Sequence, residues 1–150
     1  MSLSDLMSNL KDKVGELKSE ALKFKNKNFL NAAMAGSALL ALADGEITPD
    51  EKKKMLKFIG NYEPLTVFKT TEIITAFGDF VTQLEFDHDL GEATAFEAIG
   101  KMKGNEQAAR LIMRLVIAIG AADGDFDDYE KTMARRIANE LGLSAAEFEL

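Results

Sequence analysis

At 150 residues the chain fits one domain, large enough to bury about two-thirds of the surface its unfolded form exposes. It has no cysteine and a single histidine, His88, which excludes disulfides, thiolate metal sites, cysteine nucleophiles and His-rich zinc sites. A formal net charge of −7 argues against nucleic acid as a partner and suits small cations or basic proteins.

Residues 1–28 differ in charge from the rest of the chain. They carry six Lys against four acids, whereas the remainder has 12 basic and 21 acidic residues. Leu3, Leu6, Met7, Leu10, Val14, Leu17, Ala21 and Phe24 recur at helical spacing and predict one amphipathic helix started by Ser4-Asp5. Gly15 weakens it by about 1 kcal/mol relative to Ala. We expect this segment to pack as a terminal helix, loosely attached to a helical domain over 29–150. Its Lys11, Lys13, Lys18 and Lys23 make contact with a membrane surface or membrane protein the competing expectation. No basic leader with a continuous apolar stretch is visible. The nearly apolar runs at 29–43 and 111–122 fall short of the ~20 residues that span a bilayer. A cytoplasmic protein, at most peripheral at the inner membrane, is therefore expected.

Residues 28–43 are apolar nearly all round and rich in small residues (Ala32, Ala33, Ala35, Gly36, Ala38, Ala41), which predicts a buried helix that lets its neighbours approach closely. Gly45 suits its left-handed stop. Thr48-Pro49-Asp50-Glu51 then opens another helix with a cap, a proline at the first helical position and a capping box. Met55, Leu56, Phe58 and Ile59 form its stripe. A connector with Pro64 leads to a helix from Thr70 to Leu84 that turns Ile73, Ile74, Phe77, Phe80, Val81 and Leu84 inward. Residues 85–89 read as an acidic hinge before a helix from Leu90 to Met102. Asn105 caps a second buried helix, and Asp127 to Glu130 form another capping box. Met133, Ala134, Ile137, Ala138 and Leu141 make the last long stripe, and Ser144 caps a final turn. Strand-like alternation is missing over any useful length, so the fold is read as all-α.

One stretch occurs twice. Ala43-Asp44-Gly45-Glu46-Ile47-Thr48-Pro49-Asp50-Glu51-Lys52 returns 79 residues later as Ala122-Asp123-Gly124-Asp125-Phe126-Asp127-Asp128-Tyr129-Glu130-Lys131. Each copy ends an apolar helix and opens an amphipathic one, which predicts two related, pseudo-symmetric helix-loop-helix halves. Asp50, Glu51, Asp128 and Glu130 fall in first helical turns, where each is stabilised by ~0.3–1 kcal/mol. Asp44 and Asp123 follow helix C-termini, where a carboxylate is disfavoured unless a cation or loop N–H groups compensate it. The segments match the back half of an EF-hand loop, but Leu40 and Leu42, or Ile119 and Ala121, stand where its first ligands belong, which excludes a standard EF-hand. If the halves pool their carboxylates, Asp44, Glu46, Glu51, Asp123, Asp125, Asp127 and Glu130 offer oxygen ligands to Ca, Mg or Mn. The plainer alternative is capped helices joined by solvated loops. Arg110 and Arg114, one turn apart, are expected to pair with carboxylates, with anion binding the lesser reading. His88 is expected to be exposed; as a metal ligand it would join Asp87, Asp89 and Glu92. No phosphate loop or activated nucleophile is apparent, and no organic cofactor or enzyme activity is expected. A metal-dependent hydrolase is the remote alternative.

The paired Ala-Asp-Gly segments, the entry Lys25-Asn26-Lys27-Asn28-Phe29 and the stretch Leu84-Glu85-Phe86-Asp87 resemble the tellurite-resistance TerB family over essentially the whole chain. That resemblance implies an all-helical fold of about seven helices and a role in resistance to tellurite and related stresses. It also implies a cytoplasmic metal-sensing or scaffolding component. Such a component associates with a TerC-type integral membrane protein and with TerD-type calcium-binding proteins. By position, Asp44, Glu51, Asp123 and Glu130 become the implied functional set. A purely protein-binding helical module without metal is the other reading.

Overall fold

The computed structural model describes residues 2–122 and 126–150. Among these the chain forms eight α-helices and no strand: α1 (Leu3–Asp12), α2 (Val14–Lys23), α3 (Lys27–Ala41), α4 (Pro49–Asn61), α5 (Thr70–Phe86), α6 (His88–Gly100), α7 (Glu106–Gly120) and α8 (Asp128–Glu140). Two 3-10 turns, Glu63–Leu65 and Ala145–Phe148, complete the path.

The amphipathic N-terminal segment is two helices rather than one. The backbone breaks at Lys13 (φ −108°, ψ 28°), within the exposed run from Lys11 to Lys13, where no buried contact holds the helix straight. Its start lies earlier than Ser4: the Ser2 hydroxyl accepts from the Asp5 amide, and the Asp5 carboxylate accepts from the Ser2 amide. The hydrogen bonds from Ser2 hold the Asp5 carboxyl below its ordinary pKa. Leu10, Leu17 and Ala21 are buried, with Leu3, Leu6, Met7 and Phe24 packed beside them. The apolar stripe is thus spent on α7 and on the 3-10 turn at Glu63–Leu65.

Helix α3 lies at the centre and packs against α5, α6, α7 and α8. From Phe29 to Leu40 only Asn31 is not fully buried, as an all-round apolar helix requires. The one buried polar side chain among the described residues, Ser37, donates to the Ala33 carbonyl at 2.9 Å. Small residues set the helix spacing. A Cβ on Gly36 would lie 2.8 Å from a Val116 methyl, and one on Gly120 would lie 2.8 Å from a Leu40 methyl, so α3 and α7 touch at both glycines. At Gly91 the approach is closer still, 2.6 Å to the backbone of Leu84, and it fixes how α6 folds back on α5.

The 79-residue spacing recurs in the helix lengths and starts. α3 and α7 are both 15 residues long, and α4 and α8 both 13. The starts are 79 residues apart in each case, from Lys27 to Glu106 and from Pro49 to Asp128. Caps repeat as well. Asn26 accepts from the Phe29 amide and Asn105 from the Ala108 amide, at 2.9 and 3.2 Å. Thr48 with Glu51, and Asp127 with Glu130, form two complete capping boxes. Ion pairs tie distant segments together: Arg110 to Glu147 at 2.7 Å, Arg114 to Glu20 at 3.4 Å and Lys52 to Glu85 at 2.8 Å.

Two apolar side chains expected inside lie at the edge. Ile74 and Phe58 are each 37% exposed. Ile74 covers the helix face at Gly60, while Phe58 stacks on Tyr62 at 5.3 Å between ring centroids. Burial pushes the Tyr62 hydroxyl up to about 12.

Candidate functional site

The first acidic loop begins where α3 stops. Leu42 is the C-cap, and Gly45 takes φ +98°, a conformation open to glycine but strained for other residues. One Asp44 oxygen accepts from the Glu46 amide at 3.2 Å, so a loop N–H partly answers the carboxylate that the helix end disfavours. Ile47 is half-buried and seats the loop before Thr48 opens α4. In the second copy Phe126 is buried in the equivalent place and Asp127 opens α8. Asp123, Gly124 and Asp125 lie outside the described residues.

Both helix starts face one cavity of about 220 Å³. Its floor is apolar and comes from the ends of α3 and α7, where Leu40 and Ala41 meet Ile119 and Gly120. Its polar rim is Asp44, Glu51 and Lys54 from one copy of the repeat and Asp127 and Glu130 from the other. Three pairs in this lining, Leu40 and Ile119, Ala41 and Gly120, Glu51 and Glu130, stand 79 residues apart. The cavity therefore lies on the seam between the two copies.

Each rim carboxylate already has backbone partners. Glu51 accepts from the Thr48 amide at 3.4 Å and Glu130 from the Asp127 amide at 3.2 Å. Asp127 accepts from the Glu130 amide at 2.8 Å. The positive ends of α4 and α8 add to this compensation. Among the described lining residues, four carboxylates against the Lys54 ammonium still leave the rim strongly negative. Oxygen donors of this kind suit a hard cation. Among the described residues, however, no three carboxylate or imidazole groups converge closely enough to hold an ion as they stand.

The seven proposed metal ligands thus separate. Asp44, Glu51, Asp127 and Glu130 share the cleft. Glu46 turns to a different groove, lined also by Glu85 and His88. Asp123 and Asp125 fall in the undescribed stretch. Sequence reasoning passes over Lys54, although it sits three residues after Glu51 on the same helix face; its counterpart at the 79-residue spacing is the buried Met133. His88 sits 3.2 Å from Glu92, which also accepts from Arg136. Arg110 and Arg114 are bound to carboxylates, and the pairing with Glu147 raises the pKa of Arg110 further. Lys11, Lys13 and Lys23 are exposed and Lys18 is half-buried; Lys23 shares a surface pocket with Glu20, Arg110 and Arg114. No described helix is long and apolar enough to cross a membrane.

Comparison with known proteins bears on this arrangement. The family described as tellurite resistance protein TerB matches residues 30–150, which include the described lining of the cleft and both helix-loop-helix copies apart from the first three residues of α3. A tellurium resistance protein TerB from an Alcaligenes species is 34% identical over 102 residues, covering 68% of this chain and 84% of that protein. No solved structure matches significantly. On the strength of the family match and this relative, the chain belongs to the TerB family of tellurite-resistance proteins.

Proposed function

We propose that the protein acts in tellurite resistance as a non-enzymatic, cation-responsive scaffold, with the acidic cleft as its divalent-ion site. The observation that carries this reading is the meeting of Asp44 and Glu51 with Asp127 and Glu130 around one cavity. Charge repulsion across that rim is relieved by a cation, and the ion links the two copies of the repeat. Ca, Mg and Mn fit the all-oxygen donor set better than softer metals. Glu51 and Glu130 would swing partly away from their caps to complete the coordination, with Asp123 and Asp125 adjacent in sequence. The lining of carboxylates and aliphatic side chains suits holding an ion rather than turning over a substrate. Partners of the TerC membrane type and TerD type would then read the occupied state from the cytoplasmic side.

The test is calorimetric titration of chelator-treated protein with Ca²⁺, Mg²⁺ and Mn²⁺ in parallel with E51Q/E130Q. Glutamine keeps the capping boxes and removes both charges. Saturable binding that weakens at least tenfold in the double variant supports the proposal; undetectable binding, or equal binding by both proteins, refutes it. A second reading, a protein-binding helical module without metal, is favoured by the backbone partners each rim carboxylate already has. It expects E51Q/E130Q to keep partner binding and lose little stability.

A further inference from the structure

The corner between α5 and α6 exposes apolar surface that the fold does not use. Helix α5 buries Ile73, Phe77, Phe80, Val81 and Leu84. Phe86 lies two residues beyond Leu84, about 200° around the helix, so no rotation of α5 buries both. Helix α6 in turn faces inward through Gly91, Ala95 and Ile99, which leaves Leu90 to the side. Phe86 is 88% exposed and Leu90 65%, and neither packs against the core. Asp87 holds the two in place: it ends α5, starts α6 and accepts from the Leu90 amide at 3.1 Å.

Acidic residues flank this pair along the chain. Glu85, Asp87 and Asp89 belong to the same corner, and Glu46 reaches the neighbouring groove of about 530 Å³ between the corner and the first acidic loop. Lys52 neutralises Glu85, but Glu46 and Asp89 form no ion pair among the described residues. Exposed apolar anchors flanked by a net excess of one charge are features of a docking surface. We propose that this corner docks a basic amphipathic peptide segment of a partner protein, Phe86 and Leu90 entering its apolar face while Glu46, Asp87 and Asp89 meet its cations. The net acidic charge of the corner favours that occupant over the alternatives. An anionic membrane would be repelled, and a second copy meeting this face through a two-fold axis would set carboxylates against carboxylates. The inference is independent of the cation reading, because none of its residues lines the acidic cleft.

The experiment is an amide NMR titration of the full chain with three synthetic 18-residue helical peptides. One combines Leu and Lys in an amphipathic pattern, one replaces Lys by Glu, and one replaces Leu by Gln. The Leu/Lys peptide should give saturable shifts concentrated at residues 42–48 and 84–92, with the other two at least tenfold weaker. F86S/L90S, both at solvent-exposed positions, should weaken binding at least tenfold with an unchanged far-UV spectrum. E46Q/D89N, which leaves the apolar anchors intact, should weaken it several-fold at low salt. Shifts spread over the whole acidic surface, or unchanged affinity in F86S/L90S, would overturn the proposal. So would preferential binding to phosphatidylserine vesicles, or concentration-dependent self-association that F86S/L90S abolishes.

Discussion

Replacing Gly91 by Ala tests how tightly the glycine contacts define this fold. A Cβ at that position would stand 2.6 Å from both the Cα and the amide nitrogen of Leu84 and 2.8 Å from the Gln83 carbonyl carbon. Comfortable carbon contacts lie at about 3.5–4.0 Å, so α5 and α6 must separate by about 1 Å. The obstacle is main chain and has no rotamer to move into, which places the cost near the upper end of overpacking, about 3 kcal/mol. Alanine recovers about 1 kcal/mol of helix propensity, leaving a net loss of about 2 kcal/mol. For a chain of this size that lowers Tm by about 4–8 °C. Gly78, inside α5, is the control, because a Cβ there meets nothing within 4 Å. G78A should therefore gain about 0.5–1 kcal/mol. Urea denaturation followed by circular dichroism at constant m-value measures both. If G91A matched wild type, or gained stability as G78A does, the close crossing of α5 and α6 would be wrong.

The same contacts predict other outcomes. T48A removes the acceptor for the Glu51 amide and should cost about 1 kcal/mol, read from the urea midpoint. Tyr62 keeps its proton more tightly when folded, so its contribution is complete below its ordinary pKa of 10 and is lost as pH rises to about 12. Wild type should therefore lose more stability than Y62F between pH 10 and 12, in paired melts that cancel the titration of the lysines. The Arg114–Glu20 pair fastens α2 to α7 at the surface, and a double-mutant cycle should give a coupling under about 1 kcal/mol that shrinks with added salt.

The parts of the fold legible in advance are those encoded by neighbouring residues. Thr48, Pro49 and Glu51 specify a helix start among themselves, and Asp127 with Glu130 does the same. The all-round apolar character of α3 needs no tertiary information either. Sequence reasoning fails where a distant contact decides. The break at Lys13 depends on what α1 and α2 each pack against, which periodicity alone does not reveal. Ile74 and Phe58 match the inward stripe by spacing but sit at its margin, where the packing of α4 on α5 ends. Asp87 reads as part of a hinge because two helices share it as a boundary. The repeated acidic motif points to both loops, yet it gives no sign that Glu46 lines a separate groove with Glu85 and His88. Lys54 is legible as a neighbour of Glu51 one helical turn away, and is missed when only carboxylates are sought.

The central claim is that the two copies of the repeat form a single ion site, and substoichiometric Mn²⁺ tests it most directly. Paramagnetic broadening of amide resonances falls steeply with distance and needs no substitution. The account predicts that residues 44–51 and 123–130 broaden together, at the same added Mn²⁺, and recover together on chelation. Broadening of one loop without the other, or uniform loss across the acidic surface, would contradict it.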